Sequence, residues 1–189
     1  MEKKKNWAFK RPTIMIDWDD VIVETLPTLL TEYSDITGEK VSLTDIKCWD
    51  LSAVCNMHIV YKIFHDPAFW KTLPEKKGAF KVIQRLINDG RYDIFICTAC
   101  GTKQEFDMKY DILESHIPGF NMSKIISIKD KAKFRADLIV DDSLSNLDAC
   151  SPFMQCIVMD MPHNRDCDYK RIQSLEELPS LLEEIFYCE

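Results

Sequence analysis

Two apolar runs in this sequence end on acids. Ile14-Met15-Ile16 is followed by Asp17-Trp18-Asp19-Asp20, and Leu138-Ile139-Val140 by Asp141-Asp142. A third apolar run, Tyr92 to Cys97, ends on the hydroxyl of Thr98, and a lysine-rich stretch around Lys131 precedes the second acid pair. Buried strands do not usually stop on clustered carboxylates, but in an open α/β sheet the carboxyl ends of the strands face a ligand crevice. Acids gathered there repel one another unless a hard cation compensates. Mg²⁺ suits that role, because it takes a few carboxylates together with phosphate oxygens of a substrate. Residues two apart in an extended chain point the same way, so Asp17 and Asp19 share one face if extension persists. The chemistry to expect is therefore metal-assisted work on a phosphate.

Such groups need elements to hold them. Thr25 to Thr37 carries Leu26, Leu29, Leu30, Tyr33 and Ile36 at helical spacing and stops at Gly38. Ala79 to Ile87 gives a second amphipathic helix ending at Gly90, Lys103 to Ile117 a third, and Leu175 to Phe186 a closing one. Between them lie strand candidates at Ile14–Ile16, Tyr92–Thr98, Lys124–Ile128, Asp137–Asp142 and Cys156–Asp160, with Ser143 a cap after the fourth. Strands alternating with helices describe an α/β fold with a doubly wound parallel sheet. From Leu43 to Trp70 the pattern changes to aromatics, His and Cys in short helical pieces. The division expected is a core of residues 1–24 and 74–189 with a small helical cap, 25–73, inserted after the first strand.

Composition narrows the function. With 189 residues, 46% hydrophobic and 29% charged, the chain suits a soluble domain with a sizeable core. A net charge of −7 disfavours a nucleic-acid polymer as partner, since that requires clustered Lys and Arg. No apolar run reaches membrane-spanning length, and the run after Lys3-Lys4-Lys5 is interrupted by Lys10 and Arg11, too short for a signal peptide. A cytoplasmic location follows as the expectation, with no membrane partner and with the eight cysteines as reduced thiols. The sequence leaves a homodimer open. Cys97-x-x-Cys100 has redox spacing but lacks a second such pair, and a buried Cys usually behaves as a small apolar residue. The histidines at 58, 65, 116 and 163 show no metal-ligand spacing.

The order Asp-x-Asp, Thr, Lys, Asp-Asp resembles the haloacid dehalogenase superfamily of phosphatases. More narrowly, Ile16-Asp17-Trp18-Asp19-Asp20-Val21, Phe95-Ile96-Cys97-Thr98, Lys131 ten positions before Asp141-Asp142, and His163-Asn164-Arg165 resemble the 5'(3')-deoxyribonucleotidases, the cytosolic type C 5'-nucleotidases. Asp20 stands where many members have Gly, and Ala99-Cys100 where the nucleotidases often have Ser-Pro.

The resemblance implies a Rossmann-type core and a Mg²⁺-dependent phosphomonoesterase acting on nucleoside monophosphates. Asp17 would attack phosphorus to form an aspartyl-phosphate, and Asp19 would protonate the leaving oxygen and then deprotonate water. The metal would be bound by the Asp17 carboxylate, the Asp19 carbonyl and one acid of Asp141–Asp142, with Asp142 favoured. Thr98, Lys131 and the backbone at Ala99 would cradle the phosphoryl oxygens. Thr25, Trp49, Phe69 and Trp70 would line the pocket, the aromatics stacking on the base. The rival readings are the same chemistry on a sugar phosphate or similar ester, a silent phosphate-binding module, and a thiol oxidoreductase built on Cys97 and Cys100.

Overall fold

The computed structural model describes residues 11–47 and 50–188. Its centre is β1, Thr13–Asp17, buried along its whole length. β1 pairs in parallel with β2, Asp93–Thr98, on one side and with β4, Leu138–Asp141, on the other. β3, Ile125–Ser127, flanks β2, while β5, Gln155–Met159, flanks β4. β6, Lys170–Ile172, completes a six-stranded sheet of order β3-β2-β1-β4-β5-β6. The sequence pattern missed β6. It is a three-residue edge strand in which Ile172 is the buried residue, too short to show an alternation.

Alternation along the strands sorts the two faces. Ile14, Ile16, Ile94, Ile96, Leu138 and Val140 pack against α4 (Ala79–Asp89), α5 (Lys103–His116) and α7 (Leu178–Phe186). Met15, Cys97, Ile139 and Val158 point the other way, onto α6, Leu144–Cys150. Both faces are covered, so near-continuous apolar strands are what the fold requires, and each buried aliphatic side chain contributes roughly 1.5–3 kcal/mol. The expected closing helix is split: Leu175–Glu177 forms a 3₁₀ turn, and α7 begins at Leu178 with Pro179 in its first turn, where a missing N–H costs nothing.

The chain between β1 and α4 leaves the sheet. α1, Thr25–Thr37, ends on Gly38 in a left-handed turn (φ 74°) whose N–H bonds Ser34 O at 2.8 Å. Leu26, Leu29, Leu30 and Tyr33 of α1 meet Val60 and Ile63 of α2 (Met57–His65) and Phe69 and Trp70 of α3 (Pro67–Thr72) in an apolar cluster separate from those on the sheet. The entry and exit of this segment run side by side: Glu24 N–H donates to Pro74 O at 2.9 Å and Lys76 N–H to Ile22 O at 2.8 Å. Among the described residues no helix is long and apolar enough to cross a membrane.

Candidate active site

In this strand order the winding reverses between β1 and β4, and connections leaving the two strands diverge to open a crevice at their carboxyl ends. Asp17 is the last residue of β1, Thr98 of β2 and Asp141 of β4. Lys131 opens the 3₁₀ turn that follows β3, Lys131–Lys133, and turns back into the same crevice. Its Nζ lies 2.6 Å from Asp17 Oδ1 and 2.6 Å from Asp141 Oδ2. Burial opposes the lysine's charge, but the two carboxylates more than offset it and hold its pKa above the ordinary value. Asp17 is under the reverse pressure. Burial pushes its pKa well up, Lys131 pulls it down, and the neighbouring acids Asp141, Asp19 and Asp142 push it up again.

Crowded acids of this kind are what a divalent cation relieves. Asp17, Asp141 and Asp142 are buried and can bring one oxygen each within 4.8 Å of one another, so the donor set fits a hard ion. The two acids of the pair differ. Asp141 Oδ1 accepts from Ser143 N–H (2.9 Å) and Asn146 Nδ2 (3.1 Å), and Oδ2 accepts from Lys131 and from Asn146 Nδ2 (3.2 Å). Asp142 Oδ2 lies 3.1 Å from His163 Nε2, and Asn164 Nδ2 donates to the Asp142 carbonyl at 2.7 Å. His163 and Asn164, of the His163-Asn164-Arg165 stretch that carried part of the resemblance, thus support Asp142. Arg171 of β6 in turn bonds the Asn164 side chain and carbonyl, both at 2.7 Å.

Asp19 lies beyond the end of β1, within a turn in which Ile22 N–H returns to Trp18 O at 2.9 Å. Its Oδ1 accepts from Thr25 Oγ1 (2.8 Å), and its Oδ2 from Lys109 Nζ (2.9 Å) and, at 3.4 Å, from Thr98 Oγ1. Asp20 has a left-handed backbone (φ 54°), which Asp tolerates better than most residues with a Cβ. There its two carboxylate oxygens each accept from Leu26 N–H at 3.1 Å, capping the start of α1. Glycine would adopt that backbone but offer no cap. Burial and then Asp142 push the Asp20 pKa well above the ordinary carboxylate range.

Over these groups lies a cavity of about 650 Å³. Asp17, Asp19, Lys131 and Asp142 form its floor, Thr25 and Ala99 its sides, and Tyr61, Phe64, His65 and Trp70 an aromatic wall from α2 and α3. Trp70 stacks on Phe64 (centroids 5.6 Å, 22°) and its Nε1 donates to Phe64 O at 2.9 Å. Phe69, expected in the pocket, is not among the lining residues. It is 1% exposed and packs edge-on behind Trp70 and Phe64, because successive residues of a helix face different ways. Trp49 lies outside the described residues.

The sequence reading missed Lys109, Glu105, Asn146 and the pairing of His163 with Asp142. A signal existed for the first two: Glu105, Lys109 and Leu113 follow at i, i+4 and i+8, a charged pair on the buried stripe of α5. Cys97 is fully buried, and burial pushes its thiol from the usual 9.0 up to about 12. That is the opposite of an activated thiolate.

Comparison with known proteins gives a family and a fold type. The family described as 5' nucleotidase, deoxy (Pyrimidine), cytosolic type C matches residues 11–185. A 5'(3')-deoxyribonucleotidase of Bacillus subtilis (strain 168) is 24% identical over 170 residues, covering 89% of this chain and 96% of its own. One from Clostridium acetobutylicum is 25% identical over 158 residues, covering 82% and 85%. Among solved structures, a haloacid dehalogenase-like family hydrolase from Streptococcus pneumoniae superposes with a TM-score of 0.60 at 13% identity, covering 90% of this chain and 98% of that one. A HAD-hydrolase from Bacillus subtilis bound to magnesium gives 0.58 at 16%, covering 92% and 100%. At such identities the structural neighbours speak for the fold alone, which is of the haloacid dehalogenase type. The sequence match spans nearly the whole chain, strand ends and helical segment alike, and so the chain belongs to the cytosolic type C 5' nucleotidase family, a family of phosphoric monoester hydrolases.

Proposed function

We propose that the protein is a Mg²⁺-dependent phosphomonoesterase that releases phosphate from nucleoside monophosphates, deoxyribonucleoside 5'- or 3'-monophosphates foremost. The observation that carries this reading is the convergence of Asp17, Asp19, Lys131 and Asp142 on the floor of a cavity whose far wall is aromatic. Its relatives named 5'(3')-deoxyribonucleotidase support it over most of their length.

On this reading Asp17, the Asp19 carbonyl and one acid of the Asp141–Asp142 pair would hold the metal, with Asp142 favoured and Asp141 beside it, engaged by Lys131, Ser143 and Asn146. A bound ion would supply positive charge to the phosphoryl oxygens and offset the crowded carboxylates. Asp17 attacks phosphorus, forming an acyl phosphate as the ester P–O bond breaks, and Asp19 donates a proton to the departing oxygen. Asp19, now ionised, takes a proton from the water that attacks the acyl phosphate, and inorganic phosphate leaves. Lys131 uses two of its three N–H groups on Asp17 and Asp141, so the third can bond an equatorial oxygen. Thr98 Oγ1 accepts from Lys109 Nζ at 2.9 Å and reaches Asp19 Oδ2 only at 3.4 Å, so its own proton can be turned toward the same oxygens, beside the Ala99 backbone, although the residue is fully buried and does not line the cavity. The aromatic wall of Tyr61, Phe64, His65 and Trp70 offers the base an apolar, stackable surface, with Trp70 itself held between Phe64 and the Lys109 ammonium.

The core of residues 1–24 and 74–189 and a cap of 25–73 fit this division of labour. The separate apolar cluster of α1–α3 and the adjoining stems at Glu24 and Pro74 support those boundaries. A cytoplasmic location belongs to the same reading, resting on acidic charge and unpaired thiols.

The test is phosphate release from deoxy- and ribonucleoside 5'- and 3'-monophosphates beside sugar phosphates, with Mg²⁺ and with chelator. Chelator-sensitive turnover that favours deoxynucleotides is the expected result. A clear preference for a sugar phosphate would keep the chemistry and move the substrate, and no turnover on any ester would leave the silent binding module.

A further inference from the structure

Lys109 lies in the middle of α5 with no exposed surface. Its ammonium contacts Asp19 Oδ2 at 2.9 Å, Thr98 Oγ1 at 2.9 Å and Glu105 Oε1 at 3.0 Å. An ammonium has three N–H groups, and these partners take all of them, so Lys109 has nothing left to offer a phosphate. Lys131, with two partners, differs in just this respect. A leucine at position 109 would fill the α5 stripe without needing a counter-ion, whereas a buried ammonium needs full pairing. The pairing runs to Asp19 rather than to the metal-facing acids. The same ammonium sits 4.6 Å from the centroid of the Trp70 ring, across the boundary between α5 and the helical segment.

We propose that Lys109 is the positioning residue for Asp19: it holds Oδ2 while Thr25 holds Oδ1, and its own ammonium is seated over the ring of Trp70 in the aromatic wall. This rests on the reading that Asp19 exchanges protons with the leaving oxygen and with water. With both oxygens tied, the carboxylate has one orientation. Freed from Lys109 it can rotate about its side-chain torsions, and misplacement of a catalytic group by about 1 Å can lower a rate by about 100-fold.

The experiment compares two esters in the presence of Mg²⁺. A nucleoside 5'-monophosphate loses a poor alkoxide that must be protonated as the P–O bond breaks. p-Nitrophenyl phosphate loses a stable phenolate that departs with its electrons and needs no proton, so Asp17–phosphorus bond formation proceeds without the acid. Lys109→Met, which keeps the stem and removes the charge, should lower kcat on the nucleotide by about 100-fold with KM changed far less. Rapid mixing with p-nitrophenyl phosphate should show a p-nitrophenol burst near the wild-type rate, followed by slow steady state as acyl-phosphate hydrolysis lags. Equal losses in both phases, or no loss, would overturn the proposal.

Lys109→Arg guards against a failure to fold. A guanidinium satisfies a purely structural need for charge, but its longer planar fork displaces Asp19. The nucleotide kcat should still fall by about 10-fold with the burst preserved, while wild-type kcat in this variant would overturn positioning. Asp19→Asn run alongside separates the two ways of failing. If it spares the burst and Lys109→Met does not, Lys109 positions nothing and the role of Asp19 stands. If Asp19→Asn itself fails to distinguish the esters, the role of Asp19 falls and the proposal with it.

Discussion

Asp17 combines burial on the cavity floor, a lysine at 2.6 Å and three acid neighbours. Asn has the same shape without the charge. Asp17→Asn should therefore fold normally and lose turnover by about 1,000-fold or more, since nucleophile and water activation act as one unit. Phosphate release and far-UV circular dichroism on the same sample check this, and substantial residual activity would mean that another residue attacks phosphorus. Cys97 gives a second prediction with a definite sign. Its thiol stays protonated in the fold to about pH 12, whereas the unfolded chain releases that proton near 9.0. Its stabilising contribution is complete below pH 9 and is lost as pH rises toward 12. Denaturant titrations between pH 8 and 11 should show a loss that Cys97→Ala reduces, and iodoacetamide should leave Cys97 of the native protein unmodified at pH 8. Full activity of Cys97→Ser and Cys100→Ser would close the thiol oxidoreductase reading.

At the scale of elements, α3 puts two adjacent aromatics to different uses. Trp70 lines the cavity, while Phe69 behind it is 1% exposed and wedged against Phe64. Phe69→Ala should lower unfolding stability by about 3–5 kcal/mol, read in urea titrations, through the void it leaves. Trp70→Leu keeps an apolar filler but takes an aromatic ring out of the cavity wall, and KM for a nucleotide should rise by roughly 5- to 150-fold if the wall stacks on the base, the equivalent of about 1–3 kcal/mol. An unchanged KM would give Trp70 a packing role only. α5 teaches a related lesson. Its Glu105-Lys109-Leu113 stripe was visible as a charged pair in apolar register, but the object that the pair faces, Asp19, is 90 residues away from Lys109 in sequence.

For the whole molecule the charge balance at the crevice decides how it responds to metal. Asp17 and Asp141 pair with Lys131 and Asp19 with Lys109, while the Asp20 pKa is raised by burial and by Asp142, which stands beside His163, an excess of carboxylates that a divalent ion would offset. Ions that bind only the folded state stabilise it by mass action, about 2.7 kcal/mol at 100 times Kd. For a chain of 189 residues this corresponds to a Tm rise of roughly 5–10 °C. Mg²⁺ should produce it, chelator should remove it, and Asp142→Asn should abolish it, while a Tm indifferent to Mg²⁺ would count against the metal site. The sequence by itself determined the α/β alternation and the acids and hydroxyl at the strand ends. Those follow from local rules: period-two and period-3.6 burial, helix stop signals, and polar groups where an apolar run stops. Only the tertiary structure decided that Asp141 is saturated by Lys131, Ser143 and Asn146 while His163 stands against Asp142, that Lys109 reaches Asp19, and that Trp70 rather than Phe69 meets the cavity. Periodicity says which face of an element turns inward. Which neighbour that face meets depends on strand order and crossover, and β6, whose Arg171 braces the support of Asp142 through Asn164, is too short to leave any period at all.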